Sequence, residues 1–347
     1  MEDVDFVVHL GDYIYERRFD DFGVREHEMA EVEVTTLDEY RARYTTYRLD
    51  PDLQAAHHAA PWIVSTDDHE VDNDYAGIVP EDDQTAEQMI LRRAAGYQAF
   101  YEFMPLRRSS MPTGPDMPMY RRLRFGDLID MSVLDTRQYR SNQPCGDIRT
   151  SPKPSCAAHV SPDQSILGGT QRDWLLEGLG NSQARWNVLA QQVPVARSRG
   201  LTPEGEETWS MDKWDGYPAE RQILLDYFAE TRTSNPVVLT GDVHKNWVSD
   251  LKRDFEDMSS ETVGTELVGT SLASGGDGQD MSRGGTAALS NNPHIKFYNN
   301  QRGYVVSTVT PESWTADYRV VPFVQEPGAD IGTRATFVVE AGQPGAE

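Results

Sequence analysis

Three short apolar runs in this sequence each end in a polar tip. Val7-Val8-His9-Leu10 leads into Gly11-Asp12, Trp62-Ile63-Val64-Ser65-Thr66 into Asp67-Asp68-His69-Glu70, and Val237-Val238-Leu239-Thr240 into Gly241-Asp242-Val243-His244. Short apolar runs bounded by turn signals mark buried strands of an α/β sheet. Open α/β sheets take their ligands at the carboxyl ends of the strands, so three tips of one kind are expected to converge on a single site. They offer Asp12, Tyr15, Asp68, Asp242 and His244 as metal ligands. The set contains no thiolate. Oxygen-dominated donors suit hard cations such as Ca²⁺, Mg²⁺ or Mn²⁺, and a phenolate oxygen suits Fe³⁺. Asp242 and His244 are two residues apart and are expected on one face of a strand. Each signal also has an ordinary reading: Gly-Asp after a strand as an Asx turn, a lone Tyr as core, Asp67 to Asp74 as a solvated acidic loop. Three tips in the same context outweigh these separate readings.

The first run, Val4–Leu10, is expected as a strand buried on both faces. Thr36-Leu-Asp-Glu39 fits a capping box ahead of Leu37, Tyr40, Tyr44 and Tyr47 at helical spacing. Asp50-Pro51 opens a second helix running to about Ala60, followed by a strand over Pro61–Ser65. Helices are expected over Ala86–Phe103, Gln171–Leu179 and Ala219–Thr231. Tyr120–Phe125 and Leu128–Leu134 form a hairpin around Gly126-Asp127. Further strands are expected over Trp186–Val195, Pro236–Leu239, Val305–Val309 and Thr336–Glu340. Ser274–Gly285 reads as a flexible, Gly-rich surface loop. No repeat of solenoid length occurs, and the whole chain reads as one continuous α/β domain.

With 56 acidic against 32 basic residues the chain carries a formal charge of −24, which repels phosphate backbones and argues against a general nucleic-acid binder. No apolar run approaches the ~20 residues of a membrane span, and no signal peptide opens the chain. Cys145 and Cys156 share one Pro-rich segment. A disulfide stapling that loop in an exported protein is the favoured reading, with two thiols as the alternative. A zinc site is poorly supplied, because only His159 lies nearby as a third ligand.

Taken together, Gly11-Asp-Tyr-Ile-Tyr15-Glu16, Asp67-Asp-His-Glu70 with Asp72-Asn-Asp74, Leu134-Asp-Thr-Arg137, Gln171-x-x-Trp174-Leu175 and Gly241-Asp-Val-His244 resemble the PhoD-like alkaline phosphatases of the calcineurin-like metallophosphoesterase superfamily. The resemblance runs in order along essentially the whole chain. It implies an α/β fold with a β-sandwich core flanked by helices (four layers, α/β/β/α) and an Fe³⁺ and Ca²⁺ centre that hydrolyses phosphate esters. By the same resemblance Asp12 bridges the metals, Tyr15 gives its phenolate to iron, and Asp68 stands where the superfamily has an Asn ligand. Asp242 lies towards calcium, His244 towards iron, and His69 faces the substrate.

The family also has an upstream Cys ligand on a preceding strand, an N-terminal β domain and an export signal. Residues 1–347 are therefore expected to be the catalytic domain of an N-terminally truncated member, lacking its first strand. The resemblance implies an extracellular, periplasmic or cell-wall address.

The expected chemistry is attack of a metal-activated hydroxide on a phosphate monoester or diester at alkaline pH. His69, if protonated, would hydrogen-bond the phosphate or protonate the leaving oxygen, and Arg137 would clamp the phosphate bidentately. For Arg137 the alternative is a structural pair with Asp135. Gln191 and Gln192 either line the site or form a polar strand face, and Asp72, Asn73 and Asp74 either hold a second calcium or form a solvated loop. The substrate is a small phosphate ester, a phospholipid and a nucleotide ester included. The alternatives are a phospholipase D-type diesterase, with aromatics such as Tyr13, Tyr75, Trp209, Trp214 and Trp247 lining a groove, and an inactive member with an incomplete metal site.

Overall fold

Helix starts are where the sequence dictates structure most directly. The computed structural model describes residues 2–17, 32–81, 83–147, 150–152, 156–202 and 204–347. Helix α1 (Leu37–Arg48) begins behind Thr36, whose N–H donates to the Glu39 carboxylate at 2.9 Å. Helix α2 (Pro51–Ala59) begins where Asp50 Oδ1 accepts the N–H groups of Asp52 and Leu53, and α3 (Ala86–Phe103) where Thr85 and Gln88 bond reciprocally. Each cap satisfies donors that the first helical turn leaves without a partner.

The chain divides into two units between Arg121 and Arg122. In the first, β1 (Val7–His9) pairs in parallel with β2 (Trp62–Val64), Val8 lying opposite Ile63. The Ser65 N–H continues the ladder to the His9 carbonyl at 3.0 Å, so the segments leaving β1 and β2 run side by side. Beside them α1 and α3 close a core of Tyr40, Tyr44, Met89, Tyr97 and Phe100 with Ile14, Val64 and Val71. Strand β1 is shorter than Val4–Leu10 and only half-buried. Its one described strand partner is β2, which leaves the other edge outside a sheet.

The second unit is built on a mixed seven-stranded sheet ordered β12-β10-β11-β9-β6-β4-β3. It starts with the expected hairpin: β3 (Arg121–Phe125) and β4 (Ile129–Val133) flank Gly126, at φ +56°. A short helix α4 (Pro144–Asp147) and strand β5 (Thr150–Pro152) follow, then α5 (Gly169–Asn181) and β6 (Trp186–Ala190). Strands β7 (Gly200–Leu201) and β8 (Glu207–Ser210) join β5 in a small sheet. Helix α6 (Pro218–Thr231) leads to β9 (Pro236–Thr240), β10 (Asn246–Lys252) and β11 (Thr262–Val268). Strands β4, β6, β9 and β11 run parallel, and α5 and α6 are the crossovers joining β4 to β6 and β6 to β9. Leu175 and Leu179 of α5 share one buried cluster with Leu224, Leu225 and Phe228 of α6 and with Leu189 and Val238 of the sheet. Burying each such side chain contributes about 1.5–3 kcal/mol.

Helix α7 (Arg283–Asn291) and β12 (Ile295–Asn299) precede a final meander of β13 (Arg302–Val309), β14 (Ser313–Val321) and β15 (Gly332–Glu340). The fold is mixed α/β and rich in sheet. The Gly-rich stretch departs from expectation: Ser282 caps α7 through the Gly285 N–H at 3.0 Å, so Arg283, Gly284 and Gly285 are helical. Strand β6 ends at Ala190, five residues before the expected Val195. Cys145 and Cys156 form a disulfide, with Cα atoms 5.6 Å apart, which excludes the two-thiol alternative; residues 153–155 of that loop lie outside the described residues.

Candidate active site

In the first unit the segments leaving β1 and β2 are fastened by one buried side chain, Glu70. Its carboxylate accepts the N–H groups of Asp12 (3.2 Å), Tyr13 (2.6 Å) and Asp67 (2.7 Å). The approach is so close that a Cβ at Gly11 would sit 2.3 Å from Asp67 Cβ, and Gly11 takes φ +111°. Asp12 follows at φ +57°, a left-handed conformation that a non-glycine residue adopts only when its surroundings enforce it. Burial pushes the Glu70 carboxyl up to about 7, against the pull of these N–H donors.

That clasp brings Asp12, Tyr15, Asp68 and His69 together. One ligand atom each of Asp12, Asp68 and His69 lies within 4.8 Å of the other two. The Tyr15 hydroxyl donates to Asp12 Oδ2 at 3.4 Å, and its ring lies 4.3 Å from the His69 ring. Asp68 is held by the N–H groups of His69 (3.0 Å) and Asp74 (2.7 Å). His69 Nδ1 bonds Glu16 at 2.6 Å, and Glu16 also accepts the Asn73 N–H. Burial raises the Asp12 carboxyl well above the usual range; His69 opposes this, while Asp68, Asp67 and Glu70 reinforce it. For His69, burial favours the neutral ring but is overcome by Glu16, Asp68 and Asp12, which raise it well above 6.5. The carboxylates of the half-buried Asp12 and the buried Asp68, crowded round one small space, fit a hard cation.

The stretch Asp72-Asn73-Asp74 is not a solvated loop. Asp72 and Asn73 are buried, and Asp72 pairs with the buried Arg92 at 2.8 Å. Asp72, Glu16 and Glu33 also lie close enough to share a cation, but Arg92 already bridges Asp72 and Glu33 (2.5 Å) and supplies that charge.

In the second unit the segment after β4 is held by two glutamines. Gln171 of α5 accepts the Asp135 N–H at 2.9 Å and donates to the Asp135 carbonyl at 2.8 Å, which gives the Gln171-x-x-Trp174 motif its physical role. Gln192 accepts from the Thr136 N–H and hydroxyl and donates to the Leu134 carbonyl. Gln191 bonds Thr240 and Trp214. Both Gln191 and Gln192 are fully buried and hold the strand ends together.

Arg137 is fully buried. Its Nη1 donates to Asp212 Oδ1 at 2.7 Å, and its Nη2 lies 3.8 Å from Asp242 Oδ1. Asp135 binds the Arg137 backbone N–H at 3.0 Å, so the expected Arg137–Asp135 pairing is a backbone turn, and the guanidinium's partner is Asp212. Arg140 and Gln143 converge on the same Asp212 oxygen. Lys213 reaches Asp242 Oδ2 at 3.1 Å.

Strand β9 ends at Thr240, and Asp242 (φ +65°) and His244 (φ +51°) both lie beyond it in left-handed conformations. The expectation that a strand presents them on one face is therefore corrected: a turn sets their directions. Seven described non-glycine residues have positive φ, and three of them are Asp12, Asp242 and His244. Strain at that density among candidate ligands is a mark of function.

Glu16, Glu70, Asp212 and Lys213 are site residues that sequence reasoning missed. Glu16 and Glu70 stand inside the quoted motifs and could have been noticed there. Asp212 and Lys213 carry no local signal.

A family model described as PhoD-like phosphatase matches residues 1–318. Alkaline phosphatase D of Bacillus subtilis (strain 168) is 50% identical over 349 residues, covering 99% of this chain and 59% of that protein. A solved chain described as "Structure of PhoD" superposes with a TM-score of 0.94 at 49% identity, over all of this chain and 66% of that one. The chain thus spans about three fifths of the length of the curated relative it matches.

Proposed function

The chain belongs to the PhoD-like phosphatase family, and from that premise we propose that it is a metal-dependent hydrolase of phosphate monoesters and diesters with an alkaline optimum. The observation that carries this reading is the pair of carboxylates of Asp12 and Asp68, with oxygens within 4.8 Å of each other and the Tyr15 hydroxyl on Asp12 at 3.4 Å. Asp12, Tyr15 and Asp68 in the first unit, and Asp242 and His244 in the second, are the proposed metal ligands. Their oxygens suit Ca²⁺, and a Tyr15 phenolate suits Fe³⁺. When bound, such ions supply an activated hydroxide and neutralise charge on the phosphoryl oxygens.

The chain's own residues do the rest. Glu16 holds His69 by Nδ1 and stabilises its protonated form, which leaves Nε2–H to donate a proton to the departing oxygen. Arg137 contributes positive charge beside Asp242. A bidentate clamp on phosphate would require it to give up Asp212, so we assign it a single-armed contact. Tyr15 is kept in place by the Asp12 carboxylate and the His69 ring.

The match across residues 1–318 supports reading the whole chain as one catalytic domain of the calcineurin-like, four-layer type. An extracellular or periplasmic address belongs to the same proposal. Among the described residues no helix is long and apolar enough to cross a membrane.

The test is hydrolysis of a chromogenic monoester and a chromogenic diester by chelated protein, before and after Ca²⁺ and Fe³⁺ are restored, with elemental analysis of the bound metals. Turnover lost on chelation and regained on addition is expected. Metal-loaded protein inert towards both esters, or hydrolysis indifferent to chelation, overturns the reading.

A further inference from the structure

One buried arginine joins the Gly-rich stretch to the turn that carries His244. Arg302, the first residue of β13, is 1% exposed. One arm of its guanidinium, Nη1, donates to Ser271 Oγ (2.8 Å) and to the Ser274 carbonyl (2.5 Å). The other, Nη2, donates to the His244 carbonyl (3.0 Å) and to Asn300 O (2.6 Å) and Oδ1 (2.8 Å). The planar fork thus ties two separate segments to each other, which a single ammonium could not do.

The Gly-rich stretch lies directly against His244. A Cβ on Gly275, which takes φ +87°, would sit 3.0 Å from Arg302 Nη1 and 3.7 Å from His244 Nδ1. The stretch is also fastened elsewhere: Asp277 Oδ1 accepts the N–H groups of Val324 (2.7 Å) and Gln325 (2.9 Å), and Gln279 pairs with Asn300 through their backbones. It therefore forms a fixed wall beside the imidazole. The carbonyl gripped by Arg302 belongs to the residue at φ +51°, so the grip acts on the strained peptide itself.

We propose that Arg302 is a positioning residue: by holding the His244 carbonyl with one arm and the Ser271–Gly275 wall with the other, it aims the His244 imidazole. The inference rests on the proposed role of His244 as a metal ligand. Partners that orient ligating side chains typically contribute 10–100-fold in metal affinity or activity.

The experiment compares Arg302→Met, Arg302→Lys and Asp277→Ala with the unaltered chain. Asp277→Ala loosens the same stretch at its bonds to Val324 and Gln325 and leaves the bonds of Arg302 to Ser271, Ser274 and His244 in place. The first readout is the imidazole ¹H–¹³C correlation of His244 in chelated protein, assigned with His244→Asn. The second is the split of kcat and KM on a chromogenic monoester. Arg302→Met is expected to shift or broaden the His244 signal and to lower kcat about 10–100-fold with KM little changed. Arg302→Lys should recover only part of the loss, and Asp277→Ala should leave the His244 signal in place. If Arg302→Met unfolds the chain, Arg302→Lys carries the comparison alone. An unmoved His244 signal with unchanged kcat in a destabilised Arg302 variant reduces Arg302 to a structural tie and overturns the inference. If the unaltered chain hydrolyses no ester, the functional reading fails instead, while the resonance readout still reports whether Arg302 aims the ring.

Discussion

Replacing Asp12 by Asn separates the carboxylate's part in metal binding from its part in folding. Asp12 donor atoms lie within 4.8 Å of those of Asp68 and His69. At that separation and an effective dielectric near 20, one unit-charge pair is worth about 3.5 kcal/mol. Repulsion from Asp68 and attraction to a protonated His69 therefore nearly cancel. Burial remains, and it is the largest influence holding the Asp12 carboxyl well above its usual range. The metal-free protein thus gains little from this charge. Asn also occupies left-handed φ readily, so the exchange adds no strain to the main chain at φ +57°.

The two proteins should accordingly melt within a few degrees of each other when chelated, and diverge when metal is added. A ligand at 100 times its dissociation constant stabilises the native state by about 2.7 kcal/mol. At roughly 2–4 °C per kcal/mol for a unit of this size, the native chain should gain about 5–10 °C. Asp12→Asn should lose most of that increment, because one proposed oxygen ligand is gone. The assay is thermal unfolding of chelated protein with and without Ca²⁺ and Fe³⁺. An equal metal-dependent increment in both proteins would falsify the assignment of Asp12, and a large loss of stability in the chelated variant would make the carboxylate a structural group.

Three further outcomes follow from the same geometry. Asp212→Asn removes the charge shared by the buried Arg137 and Arg140 and should cost about 3–5 kcal/mol in denaturant unfolding; a variant as stable as the native chain would mean the two guanidinium groups have another source of compensation. Gly11→Ala forces a Cβ to within 2.3 Å of Asp67 at φ +111° and should cost about 2–5 kcal/mol while weakening metal retention; native stability would show that the two segments are free to separate. Burial lowers His294 from 6.5 to about 4, and its Nε2–H donates to the Arg197 carbonyl at 2.7 Å. The unfolded chain binds the proton first, so this stability is fully present above pH 6.5 and is lost as pH falls towards 4, by at most about 3 kcal/mol. His294→Gln should flatten the fall in unfolding free energy across that window, and an unchanged slope refutes the assignment.

What the sequence made legible was local. The caps at Thr36 and Asp50 and the hairpin around Gly126 need only neighbours in the chain, and they stand where the sequence puts them. The charges inside buried strands were harder to read. Strand β4 (Ile-Asp-Met-Ser-Val) and β11 (Thr-Val-Gly-Thr-Glu-Leu-Val) carry charges that a periodicity argument assigns to solvent. Yet Asp130 is buried against Arg124, and Glu266 accepts the N–H groups of Val195 and Ala196 and the Thr240 hydroxyl. The Asp130 partner sits across the hairpin, six residues back, whereas the Glu266 partners lie 26 to 71 residues away, where no local pattern announces them. Val4–Leu10 shows the reverse, an apolar run whose strand is short and half-exposed for want of a second sheet neighbour among the described residues.

The candidate ligands themselves were readable because their chemistry is written in single letters, whereas the means of holding them was not. Asp12, Asp242 and His244 sit in conformations costing on the order of 1–3 kcal/mol each, and a strained residue persists only where surrounding bonds over-determine it. In the first unit Glu70 supplies those bonds by taking three N–H groups around Asp12. In the second, Gln192 fixes the peptides after β4, its own carbonyl accepts the Gly241 N–H, and Arg302 grips the His244 carbonyl. The clasps consist of buried side chains bonded to main chain, and they leave the ligand side chains to the chemistry. Exchanging a ligand should therefore change what the site binds, whereas exchanging a clasp should change both binding and folding. Asp12→Asn and Gly11→Ala, one residue apart, are expected to divide along that line.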